Sequence, residues 1–298
     1  MEKKQGLLTR AIAGFYYPEC EGKVYECRAR GVFRNTEISP LVGDQVLFEL
    51  DENEKGNVVE VLPRKNEFRR PPLANLDQLF LVVSVVSPSP NLLVLDKLVT
   101  VCEYKGIEPI LVFTKTDLGD PGKLEQIYRR AGFRVISVCN LEEDTGFAEV
   151  RECLRGKLSA FVGNTGVGKS SLLNNLCPEL GLQTAQISKK LGRGRHTTRH
   201  VELYRLPGME GWVADTPGFG SMELGQYEII RKEELAGCFR EFEPFLEGGC
   251  QFTGCSHTAE KGCAVLEALR GGKIASSRFE SYTALYRDAR QLKDWQLK

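Results

Sequence analysis

Eight residues near the middle of the chain have the composition and spacing of a phosphate-binding loop. They read GNTGVGKS, and the apolar run LSAFV precedes them. In a GxxxxGK[ST] loop the glycines let backbone N–H groups curl around phosphates, the lysine bridges the β and γ oxygens, and the hydroxyl holds Mg²⁺. A glycine-rich βα turn with an incidental lysine is the alternative. The predicted nucleotide-binding residues here are Gly163, Asn164, Thr165, Gly166, Val167, Gly168, Lys169, Ser170 and Ser171, with Ser170 on magnesium.

A later apolar run ends in the sequence DTPG, at residues 215–218. An aspartate at the carboxyl end of a strand can hold Mg²⁺ through a water molecule, and Gly218 lets its amide approach the γ-phosphate. On its own the motif could be only a tight turn. Between the two motifs, residues 192–198 read GRGRHTT, which suits a mobile switch loop in which Thr197 or Thr198 reaches the metal.

The sequence VFTKTDL at residues 112–118 is an apolar run that stops in polar residues. The Asp117 carboxylate can accept two charge-assisted hydrogen bonds from guanine, one from the ring N–H and one from the exocyclic amine, whereas adenine offers no such pair of donors. GTP is therefore favoured over ATP. Lys115 would lie along the base, and the segment with Ser137 and Val138 could supply a backbone N–H to the guanine oxygen. A strand that simply ends in a polar turn is the alternative.

The order of these motifs along the chain is unusual. The base-reading residues come first, and the phosphate loop, the switch threonines and DTPG follow. A fold depends on which elements are neighbours in space and not on where the chain ends lie, so the same sheet can be assembled from a circularly permuted chain. The order predicts a circularly permuted GTPase.

Three cysteines and a histidine are clustered within fourteen residues in the pattern Cys-x4-Cys-x-His-x5-Cys. Three thiolates and a neutral imidazole fill a tetrahedral shell and leave no open position for water, so a zinc ion held there would be structural. One disulfide with a spare thiol, or unrelated cysteines, are the alternatives. The predicted ligands are Cys250, Cys255, His257 and Cys263.

The whole sequence limits the classes of protein that can carry these motifs. Its 298 residues, 42% hydrophobic and 27% charged, suit a globular protein with two or three domains. The longest apolar stretch, residues 79–86, is far shorter than the ~20 residues that cross a bilayer, and residues 1–14 have no signal-peptide core. We expect a cytoplasmic protein with no membrane partner. The net charge is zero, so a case for nucleic acid depends on local patches.

Three regions differ in pattern, and we predict domain boundaries at 1–72, 73–226 and 227–298. The first alternates apolar and polar residues in short runs, which favours a small β-barrel. The second has near-continuous apolar runs, typical of parallel strands in an α/β layer. The third is helical and contains the cysteine cluster, with Ser277 and Glu280 predicted as a capping box. The predicted strands are 23–28, 31–34, 45–50, 57–61, 79–86, 109–115, 133–138, 158–163 and 211–216.

Together these features resemble the ribosome small-subunit-dependent GTPase A family over essentially the whole chain, and VGD at 42–44 and PRKNEFRRPP at 63–72 agree. The resemblance implies a circularly permuted α/β P-loop GTPase domain with an N-terminal OB-fold β-barrel and a C-terminal helical zinc-binding domain. It implies a monomer with one structural Zn²⁺, and Mg²⁺ with GTP. It also implies that the domains clasp the 30S ribosomal subunit and its 16S rRNA during late maturation, and that the subunit stimulates a slow hydrolysis that drives release.

Two residues depart from common GTPase motifs. Thr114 stands where asparagine is usual, so we expect a weaker side-chain bond tying the base-reading loop, although Asp117 preserves the choice of base. Val138 stands where alanine is common.

Catalysis is less defined by the sequence than nucleotide binding. Many GTPases orient water with a glutamine after DxxG, whereas Phe219 occupies that position and cannot hydrogen-bond. His196, beside the switch threonines, is the best local candidate to position the water, and the resemblance also indicates it. Lys169, on the phosphates, is the other predicted catalytic residue. A switch-loop histidine that contacts RNA or solvent is the alternative. A GTP-gated RNA-binding adaptor with incidental turnover is accordingly a second hypothesis for the whole protein.

Two basic segments could contact RNA phosphates. One contains Lys189, Lys190, Arg193, Arg195 and Arg199, and the other has Arg64, Lys65, Arg69 and Arg70 around Glu67. Phe33 or Tyr25 of the barrel could add stacking on bases. Both segments could instead be solvated faces.

Overall fold

The structure is a computed structural model, and it describes residues 3–29, 33, 39–52, 55–69, 71–139, 145–176, 201–215 and 228–292. The chain folds into two compact units. The first unit comprises Met1–Leu79, Ala148–Val162 and Ser170–Gly220, and the second comprises Phe80–Phe147, Gly163–Lys169 and Ser221–Lys298. Within the described ranges, no helix combines the length and the apolar character that crossing a membrane requires.

A closed five-stranded barrel forms the amino-terminal part of the first unit. β1 pairs with β2 and β5, β2 pairs with β4, and β4 pairs with β6, which returns to β5. Apolar side chains such as Leu8 and Phe48 fill its interior, which confirms the predicted β-barrel. The strands of this region are β1 (Lys3–Ile12), β2 (Phe15–Cys20), β3 (Lys23–Val24), β4 (Cys27–Ala29), β5 (Gln45–Leu50) and β6 (Gly56–Val61).

Strands β1 and β2 were not predicted from the sequence. In β1 the pairing with β2 shifts at a bulge between Leu8 and Arg10, which interrupts the two-residue periodicity, and polar Thr9 is buried. Of the predicted strand 31–34, the structure describes only Phe33.

The first unit also contains three strands from the middle of the chain, β12 (Leu158–Val162), β13 (Glu202–Arg205) and β14 (Trp212–Asp215). β12 and β14 are parallel, as predicted, and β13 is antiparallel to β14. β13 was not predicted, because its four residues are too few to give a clear period. It pairs with β1 through Arg10 and Glu202, so the barrel and these strands share one continuous sheet.

A short hairpin of β7 (Glu67–Arg69) and β8 (Pro72–Ala74) follows the barrel. Just before it, Arg64 donates from Nε and Nη2 to the two carboxylate oxygens of Asp44, both at 2.8 Å, and pairs with Glu67. Asp44 is completely buried and also accepts a bond from the backbone N–H of Leu41. The VGD and PRKNEF sequences therefore form one buried ion pair that fastens the barrel to the hairpin.

The second unit contains a parallel α/β layer in the strand order β11-β10-β9. All seven residues of β9 are buried, as are six of the seven in β10, which confirms the prediction of strands covered on both faces. α1 begins where the Asn91 side chain accepts a bond from the Val94 N–H. The elements of this layer are β9 (Gln78–Ser84), α1 (Leu92–Lys105), β10 (Glu108–Thr114), α2 (Gly122–Arg130) and β11 (Arg134–Val138). Two further helices, α3 (Thr145–Leu154) and α4 (Lys169–Leu176), have most of their residues in the first unit.

The carboxyl-terminal part of the second unit is helical around the cysteine cluster. The predicted capping box is wrong: the last helix begins two residues earlier than that motif requires, with Ala275 as its N-cap and no side-chain cap. Tyr282 and Leu285 are buried on the predicted apolar face. The helices are α5 (Lys232–Leu235), α6 (Glu243–Leu246), α7 (Ala264–Arg270) and α8 (Ser276–Arg290), with 3-10 turns at Ala236–Cys238 and Arg240–Phe242.

Candidate nucleotide and metal sites

The phosphate-loop motif lies in the context that its chemistry requires. β12 runs into Gly163, and α4 begins at Lys169. A Cβ atom on Gly163 would lie 2.6 Å from the Val82 carbonyl oxygen, so only glycine fits where the loop leaves the sheet. Gly168 has a φ of 95°, which turns the backbone into the first turn of α4. Residues 164–166 between them are exposed, as a loop that receives phosphates must be.

The base-reading loop is tied to the phosphate loop by Thr114. Thr114 is the last residue of β10 and is completely buried. Its hydroxyl donates a hydrogen bond to the carbonyl oxygen of Val167, and the Val83 carbonyl lies 3.4 Å away. The expected tie is therefore present with threonine in place of asparagine. The loop that would read the base and the loop that would hold the phosphates form one hydrogen-bonded structure.

The next residues present polar groups at the same edge of the sheet. Lys115 has a φ of 60°, and its ammonium group donates to the carbonyl oxygen of Ser87. Leu118 donates its N–H to the Lys115 carbonyl at 3.0 Å, which closes a turn around Asp117. Asp117 is exposed at this turn. Its carboxylate is accordingly available for a guanine ring.

The third predicted segment ends beside the base-reading loop. β10 and β11 are parallel with Thr114 opposite Val138, so the residues after both strands lie side by side. The Ser137 hydroxyl donates to Glu125 of α2 and not towards the base-reading loop. Cys139 directly follows β11, and its thiol is 3.6 Å from Oδ1 of Asp117. A thiol directly after a strand gives no periodic signal, so the sequence did not indicate it.

The remaining residues of the predicted site are described less completely. For Asp215 only the backbone is described, and several other residues lie outside the described ranges. β14 ends at Asp215 beside the parallel strand β12, so Asp215 lies at the edge where β12 enters the phosphate loop. Ser170 and Ser171 are in the first turn of α4 and are half-buried. His196, Thr197, Thr198, Gly218 and Phe219 lie outside the described residues, as do Lys189, Lys190, Arg193, Arg195, Arg199 and Arg70.

The predicted metal ligands converge in the second unit. The ligand atoms of Cys250, Cys255, His257 and Cys263 all lie within 4.8 Å of one another. Nδ1 of His257 is 3.5 Å from the Cys250 sulfur and 3.4 Å from the Cys263 sulfur, and those two sulfurs are 3.9 Å apart. A tetrahedron with Zn–S of about 2.3 Å and Zn–N of about 2.0 Å has edges of about 3.5 to 3.8 Å. The arrangement therefore fits a four-coordinate metal ion.

Protonation also suits a metal site. Burial lowers the pKa of His257, which keeps the imidazole neutral as a ligand must be. Every cysteine that the structure describes is a free thiol, so the disulfide alternative for this cluster is not what the structure contains.

A buried charge network joins the elements around these sites. Arg278 of α8 is completely buried and donates to Asp96 of α1 at 2.7 Å and to Glu241 at 2.7 and 3.2 Å. Tyr128 of α2 also donates to Asp96, at 2.8 Å. Burial and the neighbouring Asp96 raise the pKa of Tyr128, so its hydroxyl stays protonated. This network connects the helix that follows the metal cluster with two helices of the nucleotide-binding layer.

Several residues predicted to contact RNA are instead held by other residues of the fold. Arg64 is held by Asp44 and Glu67, and Lys65 pairs with Asp77, so two cations of this segment are neutralised within the fold. Tyr25 is buried and packs on Phe48 with ring centroids 5.4 Å apart. Phe33 packs against the same core. The Tyr25 ring is therefore not a free stacking surface, whereas Phe33 is only half-buried.

Curated proteins of similar sequence span almost the entire chain. The small ribosomal subunit biogenesis GTPase RsgA of Geobacillus kaustophilus is 45% identical over 295 residues, which are 97% of this chain and 98% of that protein. The protein of the same name from Enterococcus faecalis is 44% identical over 284 residues, 93% of each chain.

Solved structures agree with the fold. The crystal structure of YjeQ from Thermotoga maritima has a TM-score of 0.82 and 32% identity, covering 98% of this chain and 100% of that one. YloQ, described as a circularly permuted GTPase, has a TM-score of 0.80 and 34% identity, covering 98% and 96%. The family model for the RsgA GTPase matches residues 61–225, and the RsgA N-terminal domain model matches residues 5–58. With its motifs in permuted order, a five-stranded barrel before them and a Cys₃His cluster after them, the chain belongs to the RsgA GTPase family.

Proposed function

We propose that this GTPase binds the small (30S) ribosomal subunit and acts in its late maturation. In this proposal the subunit stimulates hydrolysis, and hydrolysis drives release of the protein. The names of the curated relatives support the link to small-subunit biogenesis. The single observation that carries the nucleotide chemistry is the bond from Thr114 to Val167, because it holds the base-reading loop against the phosphate loop.

Each part of the site has one task in nucleotide binding. Asp117 would accept the two guanine donors, Lys115 would lie along the base, and the segment from Ser137 to Cys139 would face the guanine oxygen. Backbone N–H groups of residues 163–168 and the Lys169 ammonium would hold the phosphates. Ser170, Asp215 and one of Thr197 and Thr198 would hold Mg²⁺, which supplies electrostatic stabilisation of the phosphoryl group.

Hydrolysis requires a group that orients the attacking water. Phe219 cannot hydrogen-bond, so we propose that His196 takes this role in the complex with the ribosomal subunit. Turnover without the subunit would be slow. Activation by a partner is worth on the order of 10³ to 10⁵ in rate.

The remaining parts of the proposal concern the other ligands and the domains. The Cys₃His cluster fits Zn²⁺ by donor set and spacing, and 16S rRNA is the proposed nucleic-acid partner. We propose domains at 1–72, 73–226 and 227–298. The end of the GTPase family match at residue 225 supports the second boundary, whereas the two family matches meet near residue 60 and so lie before the first. A monomer in the cytoplasm is the proposed working state.

The test is GTP turnover with purified 30S subunits, with 50S subunits as the matched control. The expected result is that 30S subunits strongly stimulate turnover and 50S subunits do not. The protein should also cosediment with 30S subunits when a non-hydrolysable GTP analogue is bound, and should not cosediment when GDP is bound. Binding that depends on GTP but brings no stimulation would replace the proposal with the second hypothesis, a GTP-gated RNA-binding adaptor. Equal stimulation by both subunits would reject specificity for the small subunit.

A further inference from the structure

One acidic residue of the metal-binding loop is not a ligand, yet its carboxylate is more fully bonded than its surface position requires. Glu260 lies three residues after His257 and three before Cys263. One carboxylate oxygen accepts from the N–H and the hydroxyl of Ser256, the N–H at 2.9 Å. The other accepts from the N–H groups of Thr258 and Ala259, both at 3.1 Å. Four donors of one short loop therefore converge on a single side chain.

These donors lie on both sides of a metal ligand. Ser256 stands between Cys255 and His257, and Thr258 follows His257 directly. The backbone that leads into the imidazole and the backbone that leaves it are thus held by the same carboxylate. A second anchor comes from α8, where the Tyr282 hydroxyl donates to the Ser256 carbonyl oxygen at 2.8 Å.

His257 needs such support because its backbone is strained. Its φ is 56°, in the left-handed region that residues with a Cβ atom seldom adopt. Conformations of this kind persist only where the surroundings hold them in place. Here the strained backbone directs Nδ1 towards the Cys250 and Cys263 sulfurs, at 3.5 and 3.4 Å.

Electrostatic attraction to the ion is a poor explanation for this carboxylate. Three thiolates around one Zn²⁺ already carry a net charge of −1, so another anion nearby does not add to the affinity through charge. Partial burial would raise the pKa of Glu260, but the bonds from Ser256 and the backbone amides outweigh it and lower the pKa to about 2. The Glu260 carboxylate is therefore an anion throughout the neutral pH range, and its negative charge strengthens the hydrogen bonds from the N–H groups of the loop.

We propose that Glu260 is a positioning residue that preorganises the metal-binding loop, by fixing the backbone on both sides of His257 so that the four ligands meet before the ion binds. This inference rests on the proposed Cys₃His metal site. Groups that orient metal ligands from outside the coordination shell typically contribute about 10- to 100-fold to metal affinity.

The experiment compares full-length Glu260→Ala, Glu260→Gln and Glu267→Gln with the wild type. Glu267 is an exposed glutamate of α7 in the same region, so its variant is matched in charge change. Zinc affinity is measured by competition with a chromophoric chelator. The expected dissociation constant rises about 10- to 100-fold in Glu260→Ala. The rise is smaller in Glu260→Gln, which keeps one carbonyl acceptor, and Glu267→Gln matches the wild type.

Cobalt substitution supplies a spectroscopic readout that metal content alone does not. Tetrahedral Co²⁺ bands should reach wild-type intensity in the Glu260 variants at saturating metal, because all four ligands remain. GDP affinity, measured on the same samples, should be unchanged and so shows that the rest of the chain is folded. Wild-type zinc affinity in Glu260→Ala would overturn the proposed role of Glu260 without rejecting the metal site. So would a loss of zinc affinity in Glu267→Gln as large as the loss in Glu260→Gln. A wild type without thiolate-to-cobalt bands would reject the metal site and this inference together.

Discussion

The hydroxyl of Thr114 and the carbonyl oxygen of Val167, 53 residues apart in sequence, form a hydrogen bond that joins the base-reading loop to the phosphate loop. In this permuted chain the donor precedes the acceptor. The bond also satisfies a carbonyl group in a region where Thr114 and Val167 are both buried.

Thr114→Val should therefore weaken binding of both GTP and GDP. The change removes the donor and leaves a buried carbonyl unsatisfied, which costs about 1 to 3 kcal/mol. Most of this free-energy cost should appear as weaker nucleotide binding, a loss of about 5- to 100-fold in affinity. The affinity is measured with a fluorescent nucleotide. Thr114→Ser retains the hydroxyl and serves as the control. Equal affinities in all three proteins would show that the bond does not organise the site.

Asp117→Asn should change which base is accepted. Asparagine has one acceptor and one donor group where the carboxylate has two acceptor oxygens, so it cannot pair with both guanine donors. Xanthine carries an oxygen in place of the amine and matches the amide. GTP affinity should fall by about 100-fold or more while XTP affinity rises. Competition between the two nucleotides measures this, and unchanged selectivity would remove Asp117 from the base site.

His196→Ala should separate binding from stimulated turnover. If His196 positions the attacking water, the variant keeps GTP affinity and loses most of the turnover that 30S subunits stimulate. The measurement is single-turnover hydrolysis at saturating subunit, with cosedimentation as the check that the subunit is still bound. Stimulated hydrolysis at the wild-type rate would exclude this role.

Arg278→Met should destabilise the second unit strongly. It leaves Asp96 and Glu241 buried without their cation, and loss of one partner from a buried ion pair costs about 3 to 5 kcal/mol. Among the described atoms, Oδ2 of Asp96 already has no hydrogen-bond partner, so the site has little capacity to compensate. Urea unfolding measures the loss. Arg287→Met, at an exposed position of the same helix, should change stability by less than about 0.5 kcal/mol.

Adding Asp96→Asn and Glu241→Gln to Arg278→Met should restore part of that stability, because neutral side chains no longer require the guanidinium. A triple variant as unstable as Arg278→Met alone would assign the loss to packing of the arginine against Phe239 and Phe133, over which its guanidinium lies at 4.6 and 5.3 Å.

Chelation of the metal should unfold the cysteine-containing region before the nucleotide-binding layer. Its ligands lie in a short loop, residues 250–263, in which only His257 and Cys263 are buried, so the ion contributes directly to folding there. Limited proteolysis after treatment with a strong chelator should cut first between residues 247 and 263. Simultaneous cleavage across the chain would contradict this order.

The sequence predicted best where one local pattern decides the structure. β10 and β12 are mostly apolar runs, and the phosphate loop and the cysteine cluster have fixed spacings, so each was recognisable without the fold. The contact between Cys139 and Asp117 was missed because it depends on the register of β11 beside β10. Arg278 was missed because its partners lie 182 and 37 residues away. Arginine is seldom fully buried unless it is paired, so its burial in α8 could be expected only once Asp96 and Glu241 were seen beside it.

Strand β1 has a consequence for any attempt to study the rest of the chain without the barrel. It closes the barrel and also pairs with β13 on the side opposite β14, through Arg10 and Glu202. A chain shortened to begin at residue 73 would leave that edge of β13 unpaired, and an exposed strand edge is a template for pairing between molecules. Such a truncated protein should self-associate, and a loss of function in it would reflect aggregation as much as a missing ribosome contact.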